Sequence, residues 1–248
     1  MQPSDLTFHP PFIAHRGARA AAPENTLASI RRACAEGAMW VEFDVKLTQD
    51  GVPILMHDDT LERTTNGAGR VAETDWVQIE TLDGGGAFGE AFKGEKVPRL
   101  ADALRCALEC GLRPNIEIKP CKGRAKATAM VALMTAALVW PQEQPPPLVS
   151  SFDEETLAIA AQLQPHWPRS FAFEEWRDDW HKAASFIGAE ALTVDETLLT
   201  PERLRILTQA DYALLAFTVN DPKRMRDLLR QGVTAVFCDN PGALIATL

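Results

Sequence analysis

The sequence predicts an α/β chain of the (β/α)8 barrel class, and three observations carry that expectation. Short apolar runs rich in β-formers alternate with helix-period stretches from end to end. Residues able to bind or move charge gather at the ends of those runs, where barrel enzymes build their sites. The length, 248 residues, is one at which such a barrel forms a single domain, so one domain over 1–248 is expected.

The strand candidates, in order, are Phe12–His15, Val41–Leu47, Ile54–His57, Asn115–Lys119, Leu148–Ser151, Ser170–Phe173, Ala191–Val194, Ala213–Val219 and Ala235–Cys238. Helical stretches fall between most of them: Thr26–Glu36, Leu100–Cys110, Ala125–Val139, Glu154–Leu163, Pro201–Gln209 and Pro222–Arg230. Pro201 and Pro222 stand where a first helical turn accepts proline. Gly37, Gly111 and Gly232 follow helices, as C-terminal caps do. The strand list is one too long for an eight-stranded ring. Asp50-Gly51 between Val41–Leu47 and Ile54–His57 is a hairpin signal, which makes the second run an antiparallel arm and leaves eight βα units. Residues 58–98, rich in Gly, Thr and Asp, lack a strong period and are long for a connection. They are expected to form an inserted cap over the site. Pro141–Pro147 reads as a plain linker.

Composition narrows the function. A formal charge of −9 and a pI near 5.1 exclude a basic face for nucleic acid or an anionic membrane. A small anionic substrate, needing only a local positive pocket, remains compatible. No apolar run approaches the roughly 20 residues of a bilayer span, and Met1–Pro11 lacks the pattern of a secretory signal. Five scattered cysteines (34, 106, 110, 121, 238) fit reduced thiols. Cys106 and Cys110, a helical turn apart, read as small buried side chains. The expectation is a cytoplasmic protein without stable membrane association.

Side chains alternate along a strand, so Val41, Phe43, Val45 and Leu47 share one face and Glu42, Asp44 and Lys46 the other. With the apolar row against the helices, the charged row points into the barrel. Asn115-Ile116-Glu117-Ile118-Lys119 repeats the arrangement. Inward carboxylates on both strands are costly unless neutralised. An all-oxygen set of Glu42, Asp44 and Glu117 suits Mg²⁺ or Ca²⁺. His15 and His57 end strands beside these acids and can exchange protons near neutral pH. Arg16 can grip two phosphate oxygens or pair with Glu24. Pro23-Glu24-Asn25-Thr26 reads as a helix start capped by Asn25 or Thr26. Glu174–Trp180 reads as a solvated charged run. His9, His166 and His181 look ordinary, and no nucleophile elbow, P-loop or dinucleotide fingerprint occurs.

The ordered set His15-Arg16-Gly17, Pro23-Glu24-Asn25-Thr26, Glu42-Phe43-Asp44, His57-Asp58, Leu61–Gly67, Glu117-Ile118-Lys119 and Phe217-Thr218-Val219-Asn220 resembles the glycerophosphodiester phosphodiesterase family. The likeness runs from about Phe12 to Pro241. The Glu174–Trp180 run resembles the family's cytoplasmic bacterial branch. The resemblance implies a (β/α)8 barrel with a small insertion after the second strand. It implies a divalent cation, Mg²⁺ or Ca²⁺, on Glu42, Asp44 and Glu117, acid–base work by His15 and His57, and phosphate contact by Arg16 and Lys119. The family usually carries Trp before Thr-Val-Asn; Phe217 keeps an aromatic there and loses the indole N–H, which bears on substrate preference.

The implied reaction splits a small-molecule glycerophosphodiester, such as glycerophosphocholine or glycerophosphoethanolamine, into glycerol 3-phosphate and an alcohol. His15 is expected as base and His57 as acid, with water or the glycerol 2-hydroxyl as nucleophile. A relative acting on lysophospholipids or phosphatidylinositol would need an apolar entrance, and no basic-aromatic stripe is evident. A silent phosphodiester-binding barrel would lack a ligand or a histidine, and none is missing.

Overall fold

The computed structural model describes residues 6–247; the first five residues of the Met1–Pro11 stretch lie outside them. The strands are β1 (Phe12–Ala14), β2 (Trp40–Leu47), β3 (Pro53–Leu55), β4 (Arg113–Ile118), β5 (Leu148–Ser151), β6 (Arg169–Phe173), β7 (Ala191–Asp195), β8 (Ala213–Phe217) and β9 (Ala235–Cys238). The helices are α1 (Leu27–Ala35), α2 (Trp76–Ile79), α3 (Leu100–Glu109), α4 (Ala125–Val139), α5 (Glu154–Leu163), α6 (Trp180–Ile187), α7 (Pro201–Thr208), α8 (Pro222–Arg230) and α9 (Pro241–Ile245).

Every strand but β3 is parallel to its neighbours, and the ring closes because β1 pairs with both β9 and β2. The chain is therefore a closed (β/α)8 barrel. As Asp50-Gly51 predicts, β3 is an antiparallel arm on β2, with Val45 opposite Leu55. Thr26 is the residue that caps α1, accepting from the Ser29 N–H. Pro201 and Pro222 occupy first turns with Thr200 and Asp221 as caps.

Strand alternation sorts the interior. Val41, Phe43 and Val45 pack outward with Ile30, Leu100 and Leu104, between sheet and helices. Trp40, Ile13, Leu148 and Leu215 fill the inside of the ring, and Phe237 of the same cluster reaches up to the His15 ring. Leu6 and Phe8 plug the end at Trp40, with the Phe8 and Trp40 rings 4.6 Å apart. Each such large side chain contributes about 1.5–3 kcal/mol. That apolar floor supports the charged row above it.

Helix α6 was not expected, because the charged run before it hides its apolar face. Trp180 is buried at 6 % exposure, and Gly188 in the left-handed region ends the helix. Residues 58–98 carry a small core of their own, with Leu61, Val71, Ile79 and Val97 packed on Ile54 and Met56. Among the described residues no helix is long and apolar enough to cross a membrane, and all five cysteines are free.

Candidate active site

The site begins where β1 stops. Arg16 and Gly17 both take positive φ, +55° and +78°. A Cβ on Gly17 would collide with Ser29, so only glycine fits. Holding Arg16 in that region costs of order 1–3 kcal/mol. The turn is fastened by the Arg16 N–H donating to Glu42 Oε2 at 2.8 Å and by the Asn25 N–H donating to the Arg16 carbonyl at 3.0 Å. It leaves the His15 ring in the cavity. The His15 backbone N–H donates to the Cys238 carbonyl, and its Nδ1 lies 2.8 Å from Asp239 Oδ1.

Glu42, Asp44 and Glu117 meet inside the barrel, each offering an oxygen within 4.8 Å of the others. They do not behave alike. Burial, then repulsion from Asp44 and Glu117, pushes Glu42 well above the ordinary carboxylate range. Burial and Asp44 push Glu117 to about 7. Burial acts on Asp44 in the same sense, but Arg16, Lys119, His57 and an Asn25 hydrogen bond outweigh it and hold its carboxyl below the ordinary value. Asn25 grips Asp44 twice: Nδ2 donates to Oδ2 at 2.8 Å, and the Asp44 N–H donates to Oδ1 at 3.1 Å. Glu42 Oε1 and Glu117 Oε1 are buried and have no hydrogen-bond partner among the described residues. A hard divalent cation answers both the orphaned oxygens and the raised carboxyls, so these residues fit such an ion.

His57 follows β3 and faces His15's side of the cavity. Its Nδ1 lies 2.7 Å from Asp58 Oδ1, and Lys119 Nζ donates to its Nε2. Burial lowers both histidine pKa values below the ordinary 6.5, despite their carboxylate partners. Both rings are therefore neutral at pH 7. An aspartate at each Nδ1 assigns the proton there and turns the Nε2 lone pair toward the cavity. Lys119 also lies 3.6 Å from Glu117 and 3.8 Å from Asp44. Arg16 reaches Glu24 at 2.9 Å and Asp44 at 3.3 Å, so its pairing with Glu24 is real.

His15, Arg16, Asp44, His57, Glu117 and Lys119 line one cavity of about 390 Å³ together with Phe152, Phe217, Glu174, Thr193 and Asp195, and Glu42 lies buried against Asp44 and Glu117. The Phe152 and Phe217 rings meet edge-on at 5.8 Å. Glu174, expected on a solvated surface, borders this cavity. No residue of 58–98 lines it. That segment reaches the rim instead through Arg63, which bonds Glu24 and Asp58. All eight residues singled out from sequence fall within or against the cavity. The sequence did not point to Asp239 or to Asn25's grip on Asp44, and it marked Arg63 and Glu174 only as parts of family-like motifs, with no role at the site. Asp239 had one local sign, its place one residue past β9, and Asn220 holds it with reciprocal hydrogen bonds of 2.9 and 2.8 Å.

Comparison with known proteins agrees with this geometry. The model of the "Glycerophosphoryl diester phosphodiesterase family" matches residues 15–243. A glycerophosphodiester phosphodiesterase of Caldanaerobacter subterraneus is 31 % identical over 234 residues, covering 94 % of this chain and 95 % of its own. An Oleispira antarctica phosphodiesterase, solved in complex with its product sn-glycerol-3-phosphate, is 33 % identical. It superposes with a TM-score of 0.94 over 99 % of this chain and 98 % of that one. A glycerophosphodiester phosphodiesterase from Agrobacterium tumefaciens is 29 % identical with a TM-score of 0.75, over 97 % of this chain and 100 % of that one. The chain is thus an enzyme, a phosphoric diester hydrolase, and belongs to the glycerophosphoryl diester phosphodiesterase family.

Proposed function

We propose that the enzyme hydrolyses small glycerophosphodiesters to glycerol 3-phosphate and an alcohol, with a divalent cation on Glu42, Asp44 and Glu117 and with His15 and His57 as the proton carriers. The observation that carries this reading is the pair of imidazoles, each backed by an aspartate at Nδ1, facing one cavity with Asp44 and Glu117 of the acidic trio. The glycerol 3-phosphate bound to the Oleispira relative supports the same substrate class.

When bound, the ion offsets charge on the phosphoryl oxygens. Arg16 and Lys119 add positive charge beside them. His15 Nε2 takes the proton of the nucleophile, water or the glycerol 2-hydroxyl. The bond from phosphorus to the alcohol oxygen breaks, and His57 Nε2 relays to that oxygen a proton it draws from the Lys119 ammonium. Lys119 donating to His57 Nε2 supports this order, because the neutral ring holds no proton at that nitrogen and the ammonium beside it can supply one. Asp58 and Asp239 hold the rings in aim. Phe217 and Phe152 supply an apolar wall, and Glu174, with no charged or hydrogen-bonding protein partner among the described residues, puts negative charge at the mouth. That wall suits a cationic alcohol such as choline or ethanolamine. The free thiols support a reducing, cytoplasmic setting. Residues 58–98 act as a flanking cap that positions the rim through Arg63.

The test is release of glycerol 3-phosphate from glycerophosphocholine after EDTA stripping, and again with Mg²⁺ or Ca²⁺ restored. Loss on chelation and recovery with one ion is the expected result. Activity indifferent to EDTA removes the ion from the reading, and no activity with either ion removes the substrate class.

A further inference from the structure

Below the acidic trio the barrel interior holds polar groups that the reaction does not use. Asn115 is 0 % exposed, and neither its Nδ2 nor its Oδ1 has a hydrogen-bond partner among the described residues. Ser150, 1 % exposed, has an unpartnered Oγ. Both face inward, because their strand neighbours Ile116, Ile118 and Val149 pack outward. Asn115 sits beside Glu42 across the β2–β4 ladder, and Ser150 beside Glu117 across the β4–β5 ladder. The next pair along, Ser170 and Thr193, satisfies itself with a hydroxyl bond of 2.7 Å. Leu148, beside Asn115 in the β4–β5 ladder, is apolar, and the Trp40 indole N–H is spent on the Thr7 carbonyl.

A buried amide with both ends unpaired is rare in folded proteins, and internal water is the usual partner of such groups. Adjacent strands stand about 4.8 Å apart, and a single water accepting and donating bonds of about 2.8 Å spans that gap. We propose that Asn115 and Ser150 hold buried water directly under the carboxylates of Glu42 and Glu117. That water bonds the carboxylate lone pairs facing away from the ion and fixes their aim. Asn115 and Ser150 are thus positioning residues acting through the ion's ligands, by the logic that outer partners orient inner ones. The inference rests on the acidic trio being an ion site.

The experiment pairs two readouts. Calorimetric titration of the EDTA-stripped enzyme with Mg²⁺ or Ca²⁺ compares the parent with Asn115→Leu and Asn115→Ser, alongside thermal unfolding of each. The leucine fills the space without a polar atom and should weaken ion binding about 10–100-fold. The serine keeps a hydroxyl and room for one more water, and should stay near the parental Kd. Asn115→Leu binding the ion with parental affinity overturns the proposal and leaves the ion site standing. If Asn115→Leu does not fold, Ser150→Ala serves with the same expectation of weaker binding. The second readout is a crystal structure of the parent at a resolution that places waters. Ordered water bonded to the Asn115 amide beneath Glu42 supports the proposal. An Asn115 amide bonded straight to protein groups overturns it. A parent that binds neither ion while still releasing glycerol 3-phosphate defeats the ion reading and with it the positioning role.

Discussion

Replacing Glu117 by Gln should make the ion-free enzyme more stable while abolishing its response to the ion. The Glu117 side chain is 13 % exposed, and its carboxyl is pushed from an ordinary value near 4.5 to about 7 by burial and then by Asp44. At 1.36 kcal/mol per pKa unit, ionised Glu117 costs the folded state about 3 kcal/mol. The sign follows from the raised folded value. Below pH 4.5 the group is protonated in both states and costs nothing. The cost grows from pH 4.5 to 7 and is complete above that. Gln removes the charge but leaves Lys119 with one partner fewer, so a net gain of about 1–3 kcal/mol is expected at pH 8. For a chain this long that is about 2–4 °C in Tm per kcal/mol. Urea or thermal unfolding in EDTA at pH 8 and pH 4 reads it, and the gain should vanish at pH 4. With ion at 100 times its Kd the parent should gain about 2.7 kcal/mol and the variant almost nothing. A variant less stable than the parent in EDTA at pH 8, or equally stabilised by the ion, would refute the reasoning.

Other consequences can be read in the same assays. His15→Ala and His57→Ala should each lower kcat at least ~10²-fold with little change in Tm; near-full turnover in either variant removes that ring from proton transfer. Asp239→Asn places an amide donor against His15 Nδ1 and drives its proton to Nε2. A kcat loss of about 10²-fold or more should follow, with glycerophosphocholine affinity kept. Glu24 is held at about 2, against burial, by Arg63 and Arg16. Its contribution is full above pH 4.5 and is lost as pH falls toward 2. Because Arg63 is 47 % exposed, about 1–2 kcal/mol is expected, and Glu24→Gln should flatten that part of the urea-midpoint profile between pH 5 and 3. Phe217→Ala should cost about tenfold in kcat/KM, whereas Phe217→Trp should cost little, since the ring contact with Phe152 is what is kept.

The barrel was legible because period-2 alternation is a local property. Val41–Leu47 states both its faces in seven letters, and Asp50-Gly51 states the hairpin that removes the ninth strand from the ring. The acidic trio was legible for the same reason, since two strands of one pattern must turn their charges the same way. What local pattern could not supply were partners set by ring closure. Asp239 reaches His15 across 224 positions of sequence, and Arg63 reaches Glu24 across 39. Asn25 read as an ordinary cap, and only its left-handed backbone at +56° and its grip on Asp44 show otherwise. Helix α6 was hidden because six polar or half-buried positions precede the buried face that begins at Trp180.

The ring is closed by its first and last strands, and β1 is only three residues long. The carboxylates, Arg16, His57 and Lys119 all come from the first half of the chain. His15 alone takes its backbone anchor and its ring partner from Cys238 and Asp239, near the other end. The acidic trio is thus drawn from β2 and β4, whereas the His15 ring is aligned only when β9 closes the barrel. A polypeptide halted before β9 carries all three carboxylates but leaves His15 without its anchor at Cys238 and its partner Asp239. The aim of the His15 ring is set by one of the longest-range contacts in the fold, spanning 224 positions of sequence.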